Sequence, residues 1–129
     1  MSVHDRPTAS ELIEAVREYL RDEVVPAIVD RRARFRALIA ENVLAIVGRE
    51  LANADGGEPA EAGRLGALGL GDGTADDVRA RLCARIRAGG ADDQLAAGPI
   101  ADYARAQVLA KLHVSNPRVA AQAAREWAQ

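Results

Sequence analysis

The sequence predicts an all-α protein, a five- or six-helix bundle or orthogonal array around a long central helix over about 31–54. Three observations predict it. Apolar residues make up 49% of the chain but aromatics only 3% (Tyr19, Phe35, Tyr103 and Trp127), so the apolar content is mostly Ala, Leu, Val and Ile. Alanine is the strongest helix former and lets helices pack closely. Apolar positions recur at helical spacing, and runs with the period-two alternation of a strand are missing. At 129 residues the chain fits one domain, 1–129, with one modest core.

The first helix is announced by Pro7-Thr8-Ala9-Ser10-Glu11. The Thr8 hydroxyl can accept from the Glu11 amide while the Glu11 carboxylate accepts from the Thr8 amide, which is a capping box. Leu12, Val16, Leu20 and Val24 then recur every four residues, widened by Ile13 and Tyr19, so one face is expected to be buried. Pro26 should end this helix near Glu23 to Val25.

Asp30 is the expected N-cap of the central helix, which the Asp55-Gly56-Gly57 run should stop after Ala54. Its middle, Ala37 to Val47, is apolar except at Glu41 and Asn42. That pattern predicts a helix covered on most sides. Asn42, if buried there, needs hydrogen-bond partners, and satisfaction within the bundle is favoured over partners across an interface.

The stretch 56–73 holds seven glycines and Pro59. It reads as a connection, with at most a short helix from Pro59 to Leu68. Thr74 and Asp77 suggest another helix start, followed by Val78, Leu82 and Ile86 and a stop at Gly89-Gly90. Gly98-Pro99 opens a helix marked by Ile100, Ala104, Val108 and Leu112. Asn116-Pro117 serves as N-cap and first-turn proline of a terminal helix through Trp127.

The candidate chemical motifs mostly fail on spacing. Gly66, Gly69, Gly71 and Gly73 follow no strand and lack the Gly-Lys-Ser/Thr ending of a phosphate loop. Asp72, Thr74 and Asp76 alternate like calcium ligands, but Asp77 stands where the turn glycine belongs and Cys83 where the bidentate glutamate belongs. His4 and His113 have no partner at zinc-ligand spacing, and His113 reads as a cation suited to a helix C-terminus. Cys83 has no base to activate it and reads as a small core filler. The expected cofactor and metal set is none.

Positive charge is almost all arginine, with Lys111 the only lysine, and the formal net charge is −2. A nucleic-acid partner is therefore not expected. Without an apolar run of about 18 residues or a leader-like start, neither a membrane span nor export is expected, and the lone Cys83 agrees with a reducing cytoplasm. Arg31, Arg32, Arg34 and Arg36 crowd a helix start, where the macrodipole disfavours cations. The favoured reading is an internal brace to Asp22, Glu23 and Asp30. A partner surface or an anionic ligand such as the phosphate groups of coenzyme A is the alternative.

Three blocks, His4 to Pro26, Ala40 to Leu51 and Val108 to Arg118, with their Asp-Arg-Pro-Thr opening and Asn-Pro-Arg close, resemble a bacterial family of small helical proteins of unknown function. Members of that family are typically encoded beside an aminoglycoside-phosphotransferase-type kinase and an acyl-CoA dehydrogenase. One branch resembles the small B component of the levulinate-catabolism kinase, which assists phosphorylation of 4-hydroxyacyl-CoA. The resemblance implies a non-catalytic accessory subunit in acyl-CoA metabolism, with the kinase as partner. A self-associating helical protein and an acyl-CoA binder are the alternatives. The polar positions of the three blocks are the expected functional surface: Asp5 and Arg6, Arg49, and Lys111, Asn116 and Arg118. The competing reading is that Asp5, Asn116 and their neighbours only cap helix ends.

Overall fold

The computed structural model describes residues 5–94 and 96–129, with Asp55 described by its backbone alone. His4 lies outside the described residues. Helix accounts for 80% of the described residues and no strand occurs among them, so the fold is all-α. The elements are α1 (Ala9–Tyr19), a π-helical turn (Leu20–Val24), α2 (Val25–Ala27), α3 (Arg31–Gly66), α4 (Ala75–Arg87), a 3-10 turn (Asp92–Gln94), α5 (Pro99–Ser115) and α6 (Pro117–Trp127). The chain divides into two compact units, Met1–Ala54 and Asp55–Gln129, and the division falls inside α3.

The local start signals take effect as expected. The Glu11 amide donates to Thr8 Oγ1 at 3.2 Å and the Thr8 amide to Glu11 Oε2 at 2.7 Å. The Ala33 amide donates to Asp30 Oδ2 at 2.7 Å. Thr74 and Asp77 form a second reciprocal box, and the Val119 amide donates to Asn116 Oδ1. Each device satisfies N–H groups that have no partner within the first helical turn.

The stop signals are weaker than expected. Helical backbone continues past Val25 to Ala27, because the ladder widens into a π turn in which the Val25 amide donates to the Leu20 carbonyl. Pro26 lacks the N–H that a regular ladder would require there, and the widened turn accommodates the break. The larger departure is in α3. It runs through Asp55-Gly56-Gly57 and Pro59 to Gly66, so the connection shrinks to the residues between Gly66 and Ala75. Each glycine costs about 1 kcal/mol relative to alanine in a helix, but Ala60, Glu61, Ala62, Arg64 and Leu65 favour helix, and Leu65 is the most deeply buried side chain among the described residues. Packing of Leu65 outweighs the glycines.

In the first unit α1 and α3 run antiparallel. Arg17 meets Glu41, and Ile13 Cγ2 lies 3.5 Å from where a Cβ on Gly48 would stand. Val25 and Ala45 are buried. The expected enclosure of α3 does not hold. Leu38, Ile39, Val43 and Val47 are 40–50% exposed and Phe35 is 63% exposed, and Asn42 is exposed as well. One neighbouring helix cannot cover an arc of apolar positions this wide, and Asn42 needs no buried partner.

In the second unit Leu65, Val78, Leu82 and Ile100 form the core, with Leu68, Leu70, Ala75, Ala91 and Tyr103 packed against it. Cys83 is exposed; it is not the expected core filler, since its neighbour Leu82 takes the buried position. Arg81 Nη1 donates to the Asp72 carbonyl at 2.6 Å and the Leu70 carbonyl at 3.3 Å, clasping the connection before α4. At the start of α5, Gln94 Oε1 accepts from the Ile100 amide at 2.8 Å. Gly98 has φ 137°, and a Cβ there would fall 2.6 Å from that same oxygen. The terminal helix α6 packs on α5 and buries Ala120.

Candidate functional site

Glu61 joins three helices of the second unit, and α3 reaches it only because it continues past its glycines. Glu61 Oε1 accepts from Arg79 Nε of α4 at 2.8 Å and from Tyr103 Oη of α5 at 2.9 Å. Arg79 also pairs with Asp76. Burial pushes the Glu61 carboxyl up, but the bonds from Arg79 and Tyr103, with the charges of Arg79 and Arg64, outweigh it and hold the group below the usual carboxylate value. Tyr103 responds in the opposite sense. Burial and its bond to Glu61 push the phenol up to about 12.

Two clefts flank this network. One, of about 550 Å³, is lined by Glu58, Glu61, Thr74, Asp76 and Arg79 among others. The second, of about 250 Å³, is lined by Arg64, Ala67, Leu68, Pro99, Asp102 and Tyr103. An ionised Glu61 and a protonated Tyr103 already satisfy each other, so with Arg79 they form a clamp across three helices. Sequence spacing could not reveal it, because Glu61 and Tyr103 are 42 positions apart and Glu61 lies in the stretch expected to be a connection.

The residues expected to be functional divide between the units. In the first, Asp5 is exposed and Arg6 pairs with Glu11 at 3.7 Å. Arg49 is half-buried and lines a cleft of about 370 Å³ with Glu11, Glu14, Arg17 and Ala45. Arg17 there donates to Glu14 and to Glu41 at 2.6 and 2.7 Å. In the second unit, Asn116 and Arg118 come together in a groove of about 460 Å³ that also has Gln122 and Arg125 on its walls. Asn116 spends its side-chain oxygen on the α6 amide, which is the capping role. Lys111 is exposed on α5 and its carbonyl accepts from Ser115.

The expected brace for the arginine cluster is not formed. Arg31, Arg32, Arg34 and Arg36 are exposed, and among the described residues none enters an ion pair. Asp22 pairs with its neighbour Arg21, and the Asp30 carboxylate is committed to capping α3. Among the described residues no group of acidic, histidine or cysteine side chains is arranged to hold a metal ion. No helix among them is long and apolar enough to cross a membrane.

Residues 26–119 match the family described as a domain of unknown function, DUF6285. The chain belongs to the DUF6285 family. The matched segment takes in α3, α4 and α5 and contains two of the three blocks that carried the resemblance, Ala40 to Leu51 and Val108 to Arg118. Glu61, Arg79 and Tyr103 all lie within the DUF6285 segment. No curated protein and no solved structure matches the chain.

Proposed function

We propose that this chain is a non-catalytic accessory subunit of an aminoglycoside-phosphotransferase-type kinase acting on a hydroxyacyl-CoA. The observation that carries the reading is the apolar surface of the first unit. On α3, Phe35, Ile39, Val43, Val47 and Leu51 recur every four residues with Leu38 beside them, and on α1 Leu12, Val16 and Tyr19 share a second stripe; all are at least 38% exposed. Contiguous exposed apolar surface of this kind marks a protein interface. The resemblance of the three blocks points to the kinase as the partner that covers it. In this reading the kinase supplies ATP, magnesium and the phosphoryl-transfer groups, and the present chain supplies stability or substrate shaping.

Co-expression with the neighbouring kinase tests it. The expected result is a complex that survives size-exclusion chromatography, and ATP-dependent phosphorylation of a 4-hydroxyacyl-CoA that drops at least tenfold when this chain is omitted. Full activity of the kinase alone, with no complex, overturns the proposal. Charge favours a second reading, association of two copies. Among the described residues the four exposed arginines at the start of α3 form no ion pair, and neither do the exposed Glu18 and Glu23. A concentration-dependent dimer in sedimentation that is weakened by salt would favour this reading.

A further inference from the structure

The 250 Å³ cleft of the second unit has apolar walls from Ala67, Leu68, Pro99 and Tyr103, and Arg64 as its cation. Arg64 Nε is buried and has no hydrogen-bond partner, and among the described residues its guanidinium forms no ion pair. Buried charged donors are ordinarily satisfied, because the desolvation they suffer is otherwise uncompensated. Two carboxylates lie nearby, and although Glu61 feels the Arg64 charge, neither accepts a hydrogen bond from Arg64 Nε. Glu61 is bound by Arg79 and Tyr103, and Asp102, on the cleft rim, pairs with Arg105 at 3.8 Å while remaining 75% exposed. One turn after Tyr103, Gln107 Nε2 is a second buried donor without an acceptor.

An apolar cleft with a half-buried guanidinium in its wall, its Nε without a partner, fits an amphipathic anion. We infer that it binds a small carboxylate with a short apolar tail: the carboxylate accepts from Arg64, and the tail lies on Leu68, Pro99 and the Tyr103 ring. Arg64 Nε is covered, so binding includes a turn of the guanidinium that presents Nε and one Nη as a fork, the geometry that suits a carboxylate. The volume is below the range of about 300–1,000 Å³ typical of drug-sized or cofactor sites, which favours a tail of about four to six carbons over a nucleotide-bearing ligand. This site uses no residue of the apolar faces on which the proposed association rests, so either can fail alone.

Calorimetry on the full chain with hexanoate, and with hexanamide as the uncharged match, tests the inference. Hexanoate should bind at least tenfold tighter than hexanamide. Arg64→Met should remove that preference, and Asp102→Asn should tighten hexanoate by relieving repulsion at the rim. Ala67→Leu, at an exposed position on the cleft wall, should block binding with Arg64 intact. Equal binding of the acid and the amide, no binding at millimolar hexanoate, or unchanged affinity in Ala67→Leu overturns the inference. The acid and amide comparison needs no variant and decides even if Arg64→Met fails to fold.

Discussion

At Glu61 one carboxylate oxygen accepts from two helices at once, and the ionisation of Glu61 and Tyr103 records the arrangement. Glu61 is held below the usual range, so the stability it adds is present at neutral pH and is lost as pH falls through its depressed value. Tyr103 is raised from 10.0 to about 12, so its contribution is intact below pH 10 and fades as pH rises toward 12. Glu61→Gln keeps the shape but removes the charge. We expect it to cost about 1–3 kcal/mol, the range for weakening a charged hydrogen bond at a part-buried group, measurable by urea unfolding. It should also lower the Tyr103 ionisation, read at 295 nm in a Tyr19→Phe background so that only one phenol titrates. Tyr103 ionisation that stays near 12 in Glu61→Gln would show that burial alone raises it. None of this was visible in the sequence. Tyr103 could be picked out as one of few aromatics, but its partner lay in a stretch dominated by glycine.

Elements were legible where their signals are local. Thr8, Asp30, Thr74 and Asn116 each cap a helix through atoms three residues away, so a short window of sequence contains the whole interaction. The end of α3 departs from its local signals because glycine and proline weigh against helix only locally, whereas Leu65 is held by Val78, Leu82 and Ile100 from distant parts of the chain. The exposure of α3 departs from its apolar pattern for the converse reason, since apolar composition shows what can be buried and not what is available to cover it. Two glycine substitutions separate the local and packing contributions. Gly63 lies within α3, and a Cβ there would meet nothing within 4 Å, so Gly63→Ala should raise stability by about 0.5–1 kcal/mol. Gly98→Ala should lower it by more than about 1 kcal/mol, because φ is positive and the methyl would displace the Gln94 oxygen that caps α5. Thermal melts of the two variants should move in opposite directions. A Gly63→Ala melt below that of the parent would mean that the glycine-rich part of α3 needs its flexibility.

For the whole molecule, the informative contrast lies between the units, each taken by itself. The second gathers apolar residues from several helices around Leu65, whereas the first leaves Phe35 and its neighbours on α3 and Leu12, Val16 and Tyr19 on α1 exposed. If these faces only tolerate exposure, polar replacements should be neutral everywhere; if they are an interface, the cost should fall on association and not on folding. Phe35→Glu with Val43→Glu makes the distinction, since both side chains are at least half exposed and exposed substitutions usually change stability by no more than about 0.5 kcal/mol. We expect circular dichroism and the melting temperature of the double variant to match the parent within a few degrees, while affinity for the proposed kinase partner, measured by surface plasmon resonance, falls at least tenfold, as is usual when the apolar centre of an interface is charged. Replacing Arg32 and Arg36 by serine should act differently: a loss confined to low ionic strength and expressed mainly in the association rate, because those cations lie on the surface where salt screens them. Retained kinase affinity in the Phe35→Glu, Val43→Glu variant would remove the apolar face from the interface and leave the arginine cluster as the surface to test next.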